Sequence, residues 1–298
     1  MKSLPVLNIR QFYPDEKHEE FYANDFADHL KNHHRAILTP HKHNVYLAVL
    51  FTSGTGIHEI DFNAYEVKRG SVFFMNPGQT HHWEFSDDVN GYIFFHSEGF
   101  YNLHFSDSTV QGFPFYYSTQ NPPCIYLKED ELIHAEMTFA NILEEYRTEN
   151  LYKHHKICSL VDMAYIDLAR IYVNADYKAV VRTSNYSNKL KMLETLIEKH
   201  FHTEKSPGKY AGWMNMTTKH LNRITKESVD KTTSDMIIDR VVLEAKRMLI
   251  HSKDNFSTVA EALGYEDYAY FSRLFKKRTG ETPSEFAKRY VLTSGGHL

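Results

Sequence analysis

The hydrophobic pattern of this chain changes period along its length. From Ala36 to His96, short apolar, β-branched and aromatic runs alternate with turn residues. Val45–Thr52, Gly56–Phe62, Ala64–Val67, Ser71–Asn76 and Tyr92–His96 are expected strands, broken at Ser53-Gly54, Asn63, Arg69-Gly70, Pro77-Gly78 and Asp87-Asp88. Many short strands at regular turn spacing predict a sandwich or barrel. Residues 1–35 are polar and mixed, and read as an arm or first strands. Phe100–Tyr126 is aromatic and irregular, and is expected to pack on the β-rich part. Past Leu127 the period becomes helical. Asp130–Glu149 places Leu132, Phe139, Leu143 and Tyr146 near one stripe, with Glu136, Glu144 and Glu145 outside it. Tyr152–Val173 is apolar over more than one stripe, so it has surface for the barrel and for a partner. Asn174–Ser187 reads as a linker.

From Asn188 the chain is helical nearly to its end. Lys189–Phe201 turns Leu190, Leu193, Leu196, Ile197 and Phe201 to one side. Residues 206–233 form a helical hairpin in which Thr217 caps the second helix, with Leu221 and Ile224 on its inner face. Ser234–His251 is a connecting helix of about 27 Å, with Ile237, Ile238, Val241, Val242, Ala245, Met248 and Leu249 inward. In a second hairpin, Asn255 to Phe286, Ser257 is the expected first cap and Gly264 the helix end. Asp267 is the second cap, and Phe271, Leu274 and Phe275 make an inner face before Gly280 and Pro283. A short helix, a turn with glycine and a basic helix make a helix-turn-helix.

Charge sharpens this division. The 298 residues suggest about two domains, and the net charge is −4. Residues 1–185 hold 15 Lys+Arg and 24 Asp+Glu, a net of −9. Residues 186–298 hold 19 and 14, a net of +5, so an anionic partner is expected for that third alone. No apolar run is long enough to span a membrane, and the first residues lack the apolar core of a signal peptide. Cys124 and Cys158 have no CxxC spacing and fit a reducing cytoplasm.

The string GYEDYAYFSRLFKKRTGETPSEF resembles the C-terminal signature of the AraC/XylS family of bacterial transcription regulators. It matches at Gly264, Tyr265, Tyr270, Phe271, Ser272, Arg273, Phe275, Lys276, Lys277, Gly280, Thr282 and Pro283. Residues 206–233 resemble the family's first helix-turn-helix, with Ala211 as its small packing residue. They depart from it at Thr225, where phenylalanine is usual, and at Asp230, where glycine is usual. Pro40-His41-Lys42-His43 and Gly70 followed by Pro77-Gly78-Gln79-Thr80-His81 look like the small cupin barrel at the N-terminus of many such regulators. The resemblance implies an α+β two-domain chain. Residues 1–178 would be a cupin-like β-barrel followed by a helix pair, binding an effector and dimerising. Residues 179–298 would be an all-α DNA-binding domain with two helix-turn-helix units joined by a long helix. The implied partners are double-stranded DNA, a small-molecule effector (a sugar among the candidates), a second copy of the chain and RNA polymerase.

Candidate chemistry follows the two halves. On the first recognition helix Lys219, Asn222, Arg223 and Lys226 share a face. On the second, Tyr268, Ala269, Ser272 and Arg273 hold the matching positions, and Lys276 and Lys277 stand further along. Arginine can bond guanine and asparagine adenine in pairs of hydrogen bonds, while the lysines suit phosphate. In the barrel His41, His43, Tyr46, His58, Phe74, His81, Trp83 and His96 are the expected effector-binding residues, although strand alternation turns only some of them inward. Histidines titrating near 6.5 would make recognition pH-sensitive between about 5.5 and 7.5. Lys42 is expected to point outward, leaving Arg35 or Arg69 as clamps for an anion. An alternative is a metal-dependent cupin enzyme fused to a helical DNA-binding domain, with His41, His43 and His81 on the metal. Such sites usually add a glutamate a few residues on, and Leu47 and Ala48 stand there instead. The favoured reading therefore has no catalytic residue, no cofactor and no resident metal.

Overall fold

Buried along nearly its whole length, Tyr46–Ser53 is the spine of the N-terminal unit. A computed structural model describes residues 5–12, 20–37, 39–105, 109–116, 121–174, 184–251 and 255–294. The chain divides into two compact units, Leu4–Val181 and Arg182–Leu298. Most of the expected linker lies outside the described residues.

In order, the first unit contains β1 (Val6–Leu7), β2 (Phe21–Asp25), α1 (Phe26–Ile37), β3 (His41–His43), β4 (Tyr46–Ser53), β5 (Gly56–Ile60), β6 (Asn63–Val67), β7 (Ser71–Met75), β8 (Thr80–Phe85), β9 (Asn90–His96), α2 (Glu98–Asn102), β10 (Cys124–Tyr126), α3 (Glu129–Arg147) and α4 (Lys153–Asn174). The strands pair as two five-stranded sheets, β1-β3-β8-β5-β6 and β10-β7-β4-β9-β2, rather than as one closed sheet. Odd-numbered residues of β4, β7 and β9 (Leu47, Val49, Phe51, Phe73, Phe95) share a core with Leu7, Ile60 and Trp83 of the first sheet, closed by Phe26 of α1. Even-numbered residues (Tyr46, Ala48, Leu50, Phe74, Phe94) pack instead under α3, α4 and the aromatic segment 100–125. Each Leu, Ile, Val or Phe side chain among them contributes about 1.5–3 kcal/mol by burial. The layers are sheet, sheet, helices.

Several expectations are corrected here. Residues 26–37 are helical rather than an arm or strand: Asp25 Oδ1 accepts from the Ala27 N–H at 3.0 Å and opens α1. Glu145 is not on the outer face of α3. It is buried and accepts from Lys156 Nζ of α4 at 2.6 Å, an ion pair that fixes the two helices together. The segment 100–126 does pack on the β-rich part, through Phe100, Tyr101, Phe115 and Tyr116.

The second unit contains α5 (Ser184–His200), α6 (Pro207–Trp213), α7 (Thr218–Val229), α8 (Thr233–His251), α9 (Phe256–Ala262), α10 (Tyr268–Thr279) and α11 (Pro283–Ser294). The central helix α8 packs against α5, α6 and α7 and also against α9, α10 and α11. Met236 and Arg247 join its buried side, while Ile238, Met248 and Leu249 are only half-buried. Ion pairs brace it. Arg240 takes Glu198 of α5 in a two-toothed grip and lies 4.0 Å over the Phe201 ring. Arg278 of α10 bonds Asp235. The Thr232 hydroxyl and the Arg278 guanidinium together hold the Asp235 carboxyl down at about 2.

Asp230 ends α7 in the left-handed conformation, at φ +52°. That is the backbone state for which the family's glycine is suited, and an L side chain there costs about 1 kcal/mol. Asp230 is almost fully exposed and its 3.5 Å pair with Lys226 returns little. Asp230→Gly is expected to stabilise this unit by about 0.5–1 kcal/mol in urea unfolding. An unchanged or lowered midpoint would show that the aspartate carries a compensating contact.

Candidate nucleic-acid interface and sensing site

Each recognition helix is opened by a side-chain cap. Thr217 Oγ1 accepts from the His220 N–H at 3.2 Å to start α7, and Asp267 Oδ1 accepts from the Ala269 and Tyr270 N–H groups at 2.7 and 3.2 Å to start α10. The expected cap at Ser257 is instead Asn255, whose Oδ1 accepts from the Thr258 N–H at 2.8 Å and starts α9 two residues earlier. Phe271 and Phe275 are fully buried and Leu274 half-buried, so α10 turns the opposite side outward.

That side carries exposed Ala269, Arg273, Lys276 and Lys277, with Tyr268 and Ser272 half-buried at its edge. Among the described residues Arg273, Lys276 and Lys277 make no ion pair, and the same is true of Lys219 on α7. Arg240, Arg247 and Arg278 are by contrast consumed by internal carboxylates. The structure thus sorts the basic residues into braces and open cations.

The face of α7 is more occupied. Arg223 donates to His220 Nδ1 at 2.9 Å, and Lys226 donates to the Asp230 carbonyl at 3.1 Å. Asn222 is half-buried, and its Oδ1 accepts from the Thr233 N–H at 2.9 Å, which helps open α8. Only its amide nitrogen is left for a base edge. The fully buried Thr225 turns its hydroxyl to the Asn222 carbonyl, filling less of the core than phenylalanine would. Tyr270, half-exposed on α10, matched the signature but was not among the expected contacts.

In the first unit the eight expected effector residues do not line one pocket. His41, His43, His58, His81 and Trp83 lie between the sheets, with ring centroids of neighbours 4.3 to 5.1 Å apart. Tyr46, Phe74 and His96 lie on the other side of the spine sheet. There His96 Nε2 meets the Tyr165 hydroxyl at 2.7 Å and Phe74 stacks on Phe115 at 3.7 Å. Parity is the cause: positions 46, 74 and 96 are even, and even residues of β4, β7 and β9 face the helices.

The inter-sheet histidines have defined hydrogen-bond roles. His41 Nδ1 lies 2.8 Å from the Thr39 carbonyl, which can only accept, so its proton is there and its Nε2 is a lone pair. His43 Nε2, 3.1 Å away, must then donate, and its Nδ1 is left as an acceptor. His58 Nε2 and His81 Nδ1 bond at 2.9 Å. Whichever donates, their outer nitrogens are left as one donor and one acceptor. Neither those two atoms, nor His43 Nδ1, nor Trp83 Nε1 has a hydrogen-bond partner among the described residues.

Burial lowers the pKa of these imidazoles. His41 falls to about 4, and His43, His58 and His81 fall well below their ordinary value, mainly because the charged form is desolvated. His96 also falls to about 4 through burial. The expected titration near 6.5 is therefore displaced to acid pH. His41, His43 and His81 each bring a ring nitrogen within 4.8 Å of the others, a set that could hold a divalent cation, with no carboxylate in the group. Arg69 is turned to Glu129 at 2.6 Å rather than inward, and the Arg35 side chain lies outside the described residues.

A β-rich ligand-sensing unit followed by paired helix-turn-helix units defines a ligand-responsive DNA-binding regulator. Residues 27–130 match the model of the AraC-like ligand binding domain, and residues 210–289 match that of a helix-turn-helix domain, more than half of the chain between them. The chain belongs to the AraC family of transcription regulators. It is similar to the HTH-type transcriptional activator RhaS of Escherichia fergusonii, 21% identical over 246 residues, covering 82% of this chain and 86% of that protein. The HTH-type transcriptional activator RhaR of Yersinia pseudotuberculosis is 20% identical over 253 residues, covering 84% and 85%. Among solved structures, ToxT of Vibrio cholerae aligns over 90% of this chain and 98% of its own, at 13% identity and a TM-score of 0.44. Among the described residues no helix is long and apolar enough to cross a membrane.

Proposed function

We propose that this regulator is a cytoplasmic, non-enzymatic homodimer in which residues 1–178 sense a small uncharged polar molecule and residues 179–298 bind DNA. The observation that carries the sensing reading is the set of buried polar atoms between the sheets. Each unpaired atom costs about 1–3 kcal/mol. They are neutral and include both donors and acceptors, which a hydroxyl group matches and a bare anion does not. The inter-sheet aromatics supply faces for an apolar edge. A hydroxylated neutral ligand, such as a sugar, satisfies this chemistry, and no carboxylate stands with the histidines to move a proton on it. Ligand binding to the folded state raises the melting temperature by mass action. A screen of neutral sugars, aromatic acids and divalent metals is expected to find stabilisation by sugars that His81→Ala abolishes. Stoichiometric metal at the histidines together with turnover of any compound would favour the enzyme reading.

The DNA-binding role rests on the open cations of α10. Arg273→Ala and Arg223→Ala are each expected to weaken a specific site by about 1–3 kcal/mol. Lys277→Ala should weaken all sequences alike and make the salt dependence shallower. Titrating cognate and scrambled duplexes at several salt concentrations separates these outcomes. Wild-type affinity in both arginine variants would remove the two faces from the interface.

Dimerisation is supported by apolar side chains left exposed on the helix pair: Ile133 and Met137 one turn apart on α3, Met163 and Ile166 on α4. A regulator dimerised there presents two DNA-binding units to paired half-sites, with RNA polymerase as the further partner. Met137→Lys is expected to shift sedimentation of the protein to the monomer at tens of micromolar, about the range of weak self-association. An unshifted dimer would place the interface elsewhere.

A further inference from the structure

A second group of metal-ligating side chains lies outside the sheets, where the turn after α2 meets the first turns of α4. His154 and Cys158 are four residues apart and so share one face of α4. His104, after α2, reaches the same spot. Its Nε2 is 3.2 Å from His154 Nδ1. The three side chains bring one ligand atom each within 4.8 Å of one another. A tetrahedron with metal–ligand bonds of about 2.0–2.3 Å has edges of about 3.3–3.8 Å. Small side-chain rotations close that difference, and His154 is exposed and able to make them.

The surroundings prepare these atoms as ligands. The Phe100 carbonyl accepts from His104 Nδ1 at 3.1 Å and from the Cys158 thiol at 3.7 Å. Because a carbonyl only accepts, His104 holds its proton on Nδ1 and turns the lone pair of Nε2 into the cluster. A backbone carbonyl behind a ligating imidazole is the usual device for fixing that tautomer. The His155 ring lies 5.3 Å from that of His104, so a fourth donor is at hand beside solvent.

We propose that His104, His154 and Cys158 form a site for a thiophilic divalent cation of the zinc type, separate from the histidines between the sheets. One sulfur and two nitrogens select zinc-like ions over magnesium or calcium, which prefer oxygen. On binding, the sulfur–metal bond forms, the S–H bond breaks and its proton passes to solvent, while His154, which donates from Nδ1 to His104 in the metal-free protein, gives up that proton and carries one on Nε2 instead. Burial pushes the free Cys158 thiol up to about 12, so a strongly polarising cation is needed to remove that proton. An ion held there ties the segment after β9 to α4, which carries the exposed Met163 and Ile166.

Cobalt(II) titrated into the metal-free full-length protein tests this. A sulfur-to-cobalt charge-transfer band is expected at one equivalent, and zinc should erase it. Only a thiolate gives that band, so the inter-sheet histidines cannot imitate it. His154→Gln changes an exposed residue and is expected to weaken cobalt binding at least tenfold. Cys158→Ser should abolish the band, while Cys124→Ser and His41→Gln should leave it. Cobalt binding without the band, a band that survives Cys158→Ser, or no binding at micromolar metal would each overturn the proposal.

Discussion

Lowering the pH from 7 to 5 is expected to remove a large part of the stability of the N-terminal unit. His41, His43, His58, His81 and His96 are buried neutral, and burial depresses every one of them. A histidine near 6.5 when unfolded and lowered when folded binds its proton in the unfolded chain first. Stability is then intact above about pH 6.5 and falls as pH drops toward the folded value. His41 and His96, at about 4 when folded, each cost about 2 kcal/mol by pH 5. Those two alone come to about 4 kcal/mol, close to the lower end of an ordinary domain's stability of about 5–15 kcal/mol, and His43, His58 and His81 act in the same direction. Urea unfolding of Trp213→Phe protein reads this unit alone, because Trp83 is then the only indole, and it packs against His58 and His81. A loss below about 1 kcal/mol between the two pH values would mean that these imidazoles are charged in the folded state.

The second large effect is expected from a single methyl group. Gly264 adopts φ +79°, and a Cβ there would stand 2.1 Å from the His202 carbonyl oxygen and 2.7 Å from Lys205 Nζ. Lys205 cannot simply withdraw, since its ammonium caps the His202 and Leu263 carbonyls at 2.6 and 2.7 Å. Gly264→Ala therefore combines the left-handed penalty with a backbone collision, and about 3 kcal/mol or more should be lost. Gly280 is the internal control. It sits at φ +86° with nothing within 4 Å of the added carbon. Gly280→Ala should cost only about 1 kcal/mol. Far-ultraviolet circular dichroism in urea measures both. Equal losses would show that the approach of the His202 carbonyl is relieved by local movement.

The helix-turn-helix units were legible because their information is local. Asp267 and Thr217 act on the first turn of their own helices and Gly280 on the last turn of its own, so residue type and spacing suffice. Asn255 was missed as a cap because two capping residues stand close together, and the choice depends on where Phe256 packs. Helix α1 was missed because Phe26 faces a β-core built from distant residues. The division of the effector residues was hidden for a related reason. Runs such as YLAVLF and SVFFM are apolar at every position, so no alternation reveals which residue faces which layer. Nor does the break at Asn44-Val45 say that the parity of His41 and His43 passes to Leu47 rather than to Tyr46.

The doubly buried spine sheet has a consequence for how this regulator changes over generations. Neighbouring codons along β4 and β7 serve different layers: Leu47 and Phe73 belong with the histidines, Ala48 and Phe74 with the helices. A substitution at one is screened from its neighbour by the backbone between them. With the sensing site proposed between the sheets, ligand preference would rest on one set and drift while the helical layer, held by the other, stays under its own constraint. A lineage acquiring a new inducer should therefore record its substitutions at alternate positions of these strands.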